Sequence, residues 1–177
     1  TWDPQNAYQV ASILGKELSS LGVNLLLGPS LDILDTFYAG MGEDLGTATF
    51  GGDPYWVSEM SRQFVRGLHA GSAGKLAVIA THFPGKGGSD RPVEEEVVTI
   101  RKSLDQLKQV ELAPFFAVTG QARGREEVVD GMLVSHIRYQ GFQGNIRATT
   151  KPVSFDTAAL EALLKLPEFA AWRENGG

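Results

Sequence analysis

The chain has 177 residues, 42% of them hydrophobic and 21% charged, and a formal net charge of −5. This length suits one domain with a sizeable core, and the acidic balance argues against a partner held by nucleic-acid phosphates. The absence of cysteine excludes disulfides and thiolate metal sites, and no apolar run reaches the ~20 residues that span a bilayer. The three histidines, His69, His82 and His136, are far apart, so we expect neither a metal nor a cofactor.

The compartment stays open on the sequence alone. The chain begins at Thr1 and carries no signal-peptide pattern, so we expect a processed or trimmed chain. A soluble protein is expected, and both a secreted and a cell-envelope location are compatible with it.

Helices and strands alternate in the first half. An apolar stripe predicts a helix over residues 6–21, stopped by Gly22. That stripe consists of Val10, Leu14, Leu18 and Leu21. A short strand follows at 23–27, a second helix begins at the capping pair Asp53–Pro54, and a second strand covers 76–80.

The second half continues this alternation. Apolar spacing predicts a third helix over 97–107, and the run at 112–118 is ambiguous. A third strand is predicted at 131–135, a fourth helix at 156–164 and a short fifth at 169–174. The pattern favours a parallel sheet with outer helices, and the apolar strands are expected to be buried on both faces.

Polar residues follow each predicted strand. Asp32, His82 and His136 come at or just after the three strands, where parallel α/β folds bind ligands. His82 also opens a glycine-rich loop over 85–88, for which a structural role is favoured over a phosphate cradle. Asp32 could equally be a loop or capping residue, and each histidine a satisfied core residue.

Four segments, in order, resemble the N-terminal (β/α)8 barrel of glycoside hydrolase family 3, on its β-N-acetylhexosaminidase side. They are LGVNLLLGPSLD at 21–32, FGGDP at 50–54, THFPGKG at 81–87 and GMLVSHIRY at 131–139. The resemblance implies a partial TIM-type α/β barrel, with 1–177 as a single incomplete domain. It also implies that Asp32, His82 and His136 bind a carbohydrate.

The sequence departs from that family at several site positions. The family's sugar-binding arginine falls on Ala48, the lysine before the site histidine on Thr81, and a loop histidine on Lys86. The family's acid histidine falls on Glu94, which could serve as the acid only with a raised pKa; otherwise it belongs to a solvated helical turn. The strand that bears the family nucleophile is not in this sequence.

Three functions therefore stay open. The first is hydrolysis of O-glycosyl bonds in β-linked sugars, N-acetylhexosaminides included, by the complete protein, with the chain alone inactive. The second is a non-catalytic carbohydrate-binding or structural domain derived from the family. The third, less favoured, is a phosphosugar enzyme that uses the loop around Lys86. Because an incomplete barrel exposes strand edges, self-association or pairing with the rest of the barrel is also expected.

Overall fold

The computed structural model describes residues 2–35, 48–89 and 97–175. Its α-helices are α1 Pro4–Ser20, α2 Pro54–Ser72, α3 Leu104–Gln109, α4 Ala113–Ala117, α5 Gln140–Gln143, α6 Thr157–Leu164 and α7 Ala170–Glu174. The strands are β1 Leu25–Ser30, β2 Ala77–Phe83, β3 Thr99–Ser103, β4 Gly131–Val134 and β5 Arg138–Tyr139. Single 3₁₀ turns cover Arg125–Glu127, Val153–Phe155 and Pro167–Phe169.

The sheet that carries the site has three parallel strands in the order β1-β2-β4, and β3 and β5 form a second parallel pair. In register, Leu27 lies beside Ile79, and Ile79 lies beside Gly131. The predicted α/β fold with parallel strands and packed helices is confirmed. All three main strands enter from the same side, so their carboxyl ends meet at one edge.

Helix α2 forms as the sequence predicts. Asp53 caps it, since its Oδ1 accepts the Trp56 N–H at 3.0 Å, and Pro54 occupies the first turn. Of its apolar stripe, Val57 and Leu68 are fully buried, whereas Met60 and Phe64 are partly buried. The capping residue and the first-turn proline of this helix were both predicted from the sequence.

Helix α1 packs differently from the prediction. Val10 and Leu21 were expected in the core but are 59% and 79% exposed, whereas Leu14 and Leu18 do pack against it. The closest contact with α2 is made by small residues: a Cβ on Gly71 would lie 1.9 Å from the Ser12 carbonyl oxygen. Glycines on both helices let the two backbones approach closely, so α1 contacts α2 through small residues and not through its large apolar stripe.

The helix predicted over residues 97–107 is wrong. The structure has strand β3 at Thr99–Ser103, and only then helix α3. Ser103 starts that helix with a capping box, in which its Oγ accepts the Gln106 N–H and the Gln106 side chain accepts the Ser103 N–H. The β-branched run before Ser103 favours a strand, a preference that the apolar spacing concealed.

The core lies on one face of the main sheet. Phe83 packs edge-to-face on Phe115 and Phe169, at ring-centre distances of 5.3 and 5.7 Å. The opposite face is not covered: Leu25 and Leu27 are 49% and 59% exposed. Burial on both faces was therefore wrong for β1. Among the described residues no helix combines the length and apolarity that a membrane crossing needs.

Candidate functional site

The candidate site lies at the carboxyl edge of the main sheet. Asp32 follows the end of β1 by two residues, His82 is the penultimate residue of β2, and His136 follows β4 by two residues. Parallel strands bring such positions to one side of a sheet, which is where α/β proteins place their ligands.

Asp32 is the buried centre of this edge. Its side chain is fully buried, yet both carboxylate oxygens have donors. Oδ1 accepts the backbone N–H of Lys86 at 2.7 Å, and Oδ2 accepts the Ser30 hydroxyl, also at 2.7 Å. His82 Nδ1 lies 2.7 Å from the same Oδ2. A buried carboxylate needs hydrogen-bond donors, and here Ser30, His82 and the backbone N–H of Lys86 supply them.

His82 is the part of this pair that reaches solvent. Its side chain is 32% exposed, whereas that of Asp32 is 0% exposed. Because Nδ1 is held by Asp32, the other ring nitrogen is the one available to a ligand. The structure thus brings two of the three predicted binding residues into direct contact.

The glycine loop over 85–88 can pack this tightly because Gly85, Gly87 and Gly88 have no side chains. A Cβ on Gly87 would lie 1.9 Å from the Ile33 carbonyl oxygen, and one on Gly88 would lie 2.6 Å from Glu111 Oε1. Gly85 has φ +114°, a backbone conformation that other residues rarely adopt, and its Cβ would lie 2.8 Å from that of Glu111. The loop therefore packs against protein on its inner side, which agrees with a structural role.

Tyr139 ties this loop to the neighbouring strand. Its ring is completely buried, and its hydroxyl donates to the Gly85 carbonyl oxygen. The same hydroxyl lies 3.1 Å from Ser135 Oγ, which in turn donates to the Phe83 carbonyl oxygen at 2.9 Å. Burial raises the pKa of Tyr139 well above its ordinary value, so the phenol stays a neutral donor at physiological pH.

A buried ion pair lies behind the loop, and no pattern in the sequence predicted it. Glu111 is fully buried and pairs with Lys102 Nζ, which also lies 2.7 Å from Asp35 Oδ2. The other oxygen of Glu111, Oε2, is buried and has no hydrogen-bond partner among the described residues. Burial raises the pKa of Glu111, although Lys102 offsets part of that effect. Burial would lower the pKa of Lys102, but Asp35 and Glu111 outweigh it and hold the pKa above its usual value.

His136 has contacts of its own at the same edge. It is exposed, its Nδ1 is hydrogen-bonded to Ser154 Oγ, and its ring stacks on Phe155 with an interplanar angle of 5° and a centre distance of 5.4 Å. No hydrogen bond joins it to Asp32 or His82 in the described part of the chain. Its place in the same ligand site stays a prediction.

The remaining predicted positions divide into two groups. Glu94 lies outside the described residues. Ala48 is exposed, and Thr81 is 5% exposed with its hydroxyl directed to the Pro29 carbonyl oxygen at 3.4 Å. Neither side chain carries a positive charge. In the described ranges no group of histidine and acidic residues is suited to hold a metal ion.

His69, on helix α2, connects that helix to the residues before β4. Its side chain is only 17% exposed, and its ring nitrogens lie 3.0 Å from the Glu126 carbonyl oxygen and 3.1 Å from Asp130 Oδ2. A cavity of about 250 Å³ between β4 and the C-terminal helices is lined by Met132, Val134, other apolar side chains and Arg173, and by none of the predicted site residues.

Comparison with known proteins places this arrangement in a family. The family described as "Glycosyl hydrolase family 3 N terminal domain" matches residues 1–167. The chain therefore belongs to glycoside hydrolase family 3. A β-hexosaminidase of Pseudomonas aeruginosa is 25% identical over 167 residues, which make up 92% of this chain and 44% of that protein. The chain thus spans less than half the length of this relative.

Solved structures agree with the family. A family 3 β-N-acetylglucosaminidase from Paenibacillus sp. superposes with a TM-score of 0.77 at 27% identity, over 92% of this chain and 28% of that one. NagZ from Neisseria gonorrhoeae, solved with N-trifluoroacetyl-D-glucosamine, gives 0.74 at 25% identity, over 93% of this chain and 43% of that one. The parallel strands and outer helices are thus part of a TIM-type barrel.

Proposed function

We propose that this chain forms the sugar-binding part of a glycosidase that hydrolyses β-linked sugars, N-acetylhexosaminides among them, in the complete protein. The observation that carries the proposal is the family match over residues 1–167, with Asp32 and His82 in contact at the ligand-binding edge. The relatives named above are a β-hexosaminidase and a β-N-acetylglucosaminidase, which indicates the substrate class. His136 is proposed as a further contact to the sugar.

Cleavage requires more than this sequence supplies. Retaining glycosidases use two carboxyl-type groups on either side of the scissile bond. The family's nucleophile belongs to a strand that is not in this sequence, and Glu94 remains a candidate acid. Turnover is therefore expected only from a protein that also carries that strand, and the 177-residue chain alone is expected to be inactive.

The sugar pocket is also short of positive charge. Ala48 and Thr81 stand where the family has an arginine and a lysine. A hydrogen bond to a charged group contributes about 1.5–3 kcal/mol, so the loss of two weakens binding by roughly two to four orders of magnitude if the contributions add. Affinity for free N-acetylglucosamine is expected to be poor, and micromolar binding in calorimetry would contradict this.

The partners follow from the same observations. The expected ligand is a carbohydrate, and the net charge of −5 gives no reason to propose a nucleic acid. The exposed apolar face of β1 is proposed to pair with a second copy or with the remainder of the barrel. A secreted or cell-envelope location would suit a glycosidase of this kind.

The test is turnover of an aryl N-acetyl-β-glucosaminide and an aryl β-glucoside. The protein that includes the nucleophile strand should cleave one of them, and His82→Gln should abolish cleavage. His69→Gln is the matched control, because it makes the same change at a histidine bonded to Glu126 and Asp130 instead of the site. Absence of turnover together with saturable binding of a β-linked oligosaccharide would favour the non-catalytic domain. Turnover by the 177-residue chain itself, lost in His82→Gln, would refute the proposal that cleavage needs the nucleophile strand.

A further inference from the structure

The Asp32–His82 contact has a feature that the family resemblance does not supply. The resemblance assigns Asp32 to the sugar, but its carboxylate is fully buried and already accepts hydrogen bonds from Ser30 and Lys86. A carboxylate has about four lone-pair sites, and His82 is the third hydrogen-bond partner of Asp32. Few sites therefore remain for a ligand, and none of the carboxylate is exposed to solvent. A ligand at this edge therefore meets His82 before it can meet Asp32.

We propose that Asp32 is a positioning residue that acts through His82: it holds the neutral ring with its proton on Nδ1 and presents Nε2 to the ligand as a hydrogen-bond acceptor. This rests on the proposed function only for the identity of the ligand, a sugar hydroxyl that donates to Nε2. The proton on Nδ1 follows from the protein contacts alone, and in the neutral ring Nε2 then carries none.

The partners of Asp32 fix that pattern. A carboxylate only accepts, so the nitrogen at 2.7 Å must carry a proton for a hydrogen bond to form. In a neutral imidazole the second nitrogen then has no proton and can only accept. The same logic orients ring nitrogens in catalytic triads and metal sites, where a buried acceptor selects the tautomer.

A single substitution reverses this selection. In Asp32→Asn the side chain offers one oxygen and one NH₂. The Lys86 N–H belongs to the backbone and cannot reverse its role, so the amide oxygen must take the place of Oδ1. The NH₂ then takes the place of Oδ2, where the Ser30 hydroxyl can rotate to accept, and His82 Nδ1 has to accept as well. The proton of the ring moves to Nε2, and the group facing the ligand changes from acceptor to donor.

The experiment is two-bond ¹H–¹⁵N correlation of the histidine rings in the purified protein, at a pH where the rings are neutral. His69→Gln and His136→Gln each remove one ring and so assign the signals of His82. The wild type should show a protonated Nδ1 and an unprotonated Nε2, and Asp32→Asn should show the reverse. Ser30→Ala is the control: it removes one donor to Asp32 but should leave the proton on Nδ1.

The outcomes separate the two proposals. A wild-type ring protonated on Nε2 overturns the inference, and so does a folded Asp32→Asn protein that keeps the Nδ1 proton. If the asparagine variant fails to fold, the wild-type and Ser30→Ala spectra still decide. Titration with a disaccharide of β-linked N-acetylglucosamine should shift the Nε2 signal of His82 more than Nδ1. If the disaccharide does not bind, the proposed function is in question while the tautomer result stands.

Discussion

Removal of the Tyr139 hydroxyl tests how firmly the glycine loop is held. In Tyr139→Phe the ring stays in place, but the buried carbonyl of Gly85 loses the donor that the structure gives it. Leaving a buried acceptor unsatisfied costs about 1–3 kcal/mol. For a domain of this size each kcal/mol lowers Tm by roughly 2–4 °C, so a decrease of about 2–12 °C is expected.

Ser135→Ala is the matched control for this change. The Phe83 carbonyl that it deprives still accepts the Ser135 backbone N–H at 2.8 Å, and Tyr139 still donates to Gly85. The expected cost is only that of one ordinary hydrogen bond, about 0.5–1.5 kcal/mol. Chemical denaturation and calorimetry should therefore rank Tyr139→Phe as the more destabilising variant, and amide exchange at Gly85 and Lys86 should accelerate in it. Equal or reversed costs would refute the role given to the hydroxyl.

Alkaline pH gives a second reading of the same residue. Because burial raises the pKa of Tyr139 above its ordinary 10.0, the native state holds this proton more tightly than the unfolded chain. The stability it contributes is complete below the unfolded pKa and is lost as pH rises toward the native pKa. The wild type should therefore lose stability above that ordinary value, and Tyr139→Phe should lose less over the same range. A parallel decline in both proteins would contradict this.

Two further predictions concern the buried acid and the open sheet face. Burial raises the pKa of Glu111, so the contribution of this residue to the free energy of unfolding is complete below the ordinary pKa of 4.5 and declines as pH rises through the raised pKa. Denaturation curves should therefore show the stability of the wild type falling relative to that of Glu111→Gln over this pH range. A constant difference between the two proteins would contradict the prediction. The 177-residue chain should self-associate through the apolar face that contains Leu27, 59% exposed, and Leu27→Lys should weaken association while Val10→Lys, a change at equal exposure on α1, should not. Light scattering that shows a stable monomer without binding of a hydrophobic dye would rule association out.

The sequence predicted those parts of the fold that depend on local signals. The Asp53 cap, the helix after it and the positions of the three main strands along the chain all follow from patterns within a few residues. The helix predicted over residues 97–107 was wrong because apolar spacing at helical intervals also fits a strand followed by a capped helix. Short strand β5 and helix α5 were not predicted, since two strand residues and one helical turn carry no periodic signal.

The sequence predicted the site residues at the strand ends but not the buried residues behind the glycine loop. Asp32 and His82 were found because each comes shortly after a predicted strand, and the structure places them in contact. Tyr139 and Glu111 were missed because their roles depend on contacts across the fold: Tyr139 reaches Gly85, 54 residues away, and Glu111 lies under the same loop. Such partners become visible only when the chain is folded.

The departures from the family pattern act on recognition more than on the Asp32–His82 pair. At position 86 the pair depends only on a backbone N–H, which any residue except proline provides, so lysine in place of histidine leaves it intact. Thr81 and Ala48 remove positive charges, but neither side chain contacts Asp32 or His82 through a hydrogen bond in the described residues. The orientation of His82 and the charge available to a sugar are therefore separable properties of this site. A protein with the pair in place can still differ from its relatives in the sugar it binds, and we expect positions 48 and 81 to contribute to that difference.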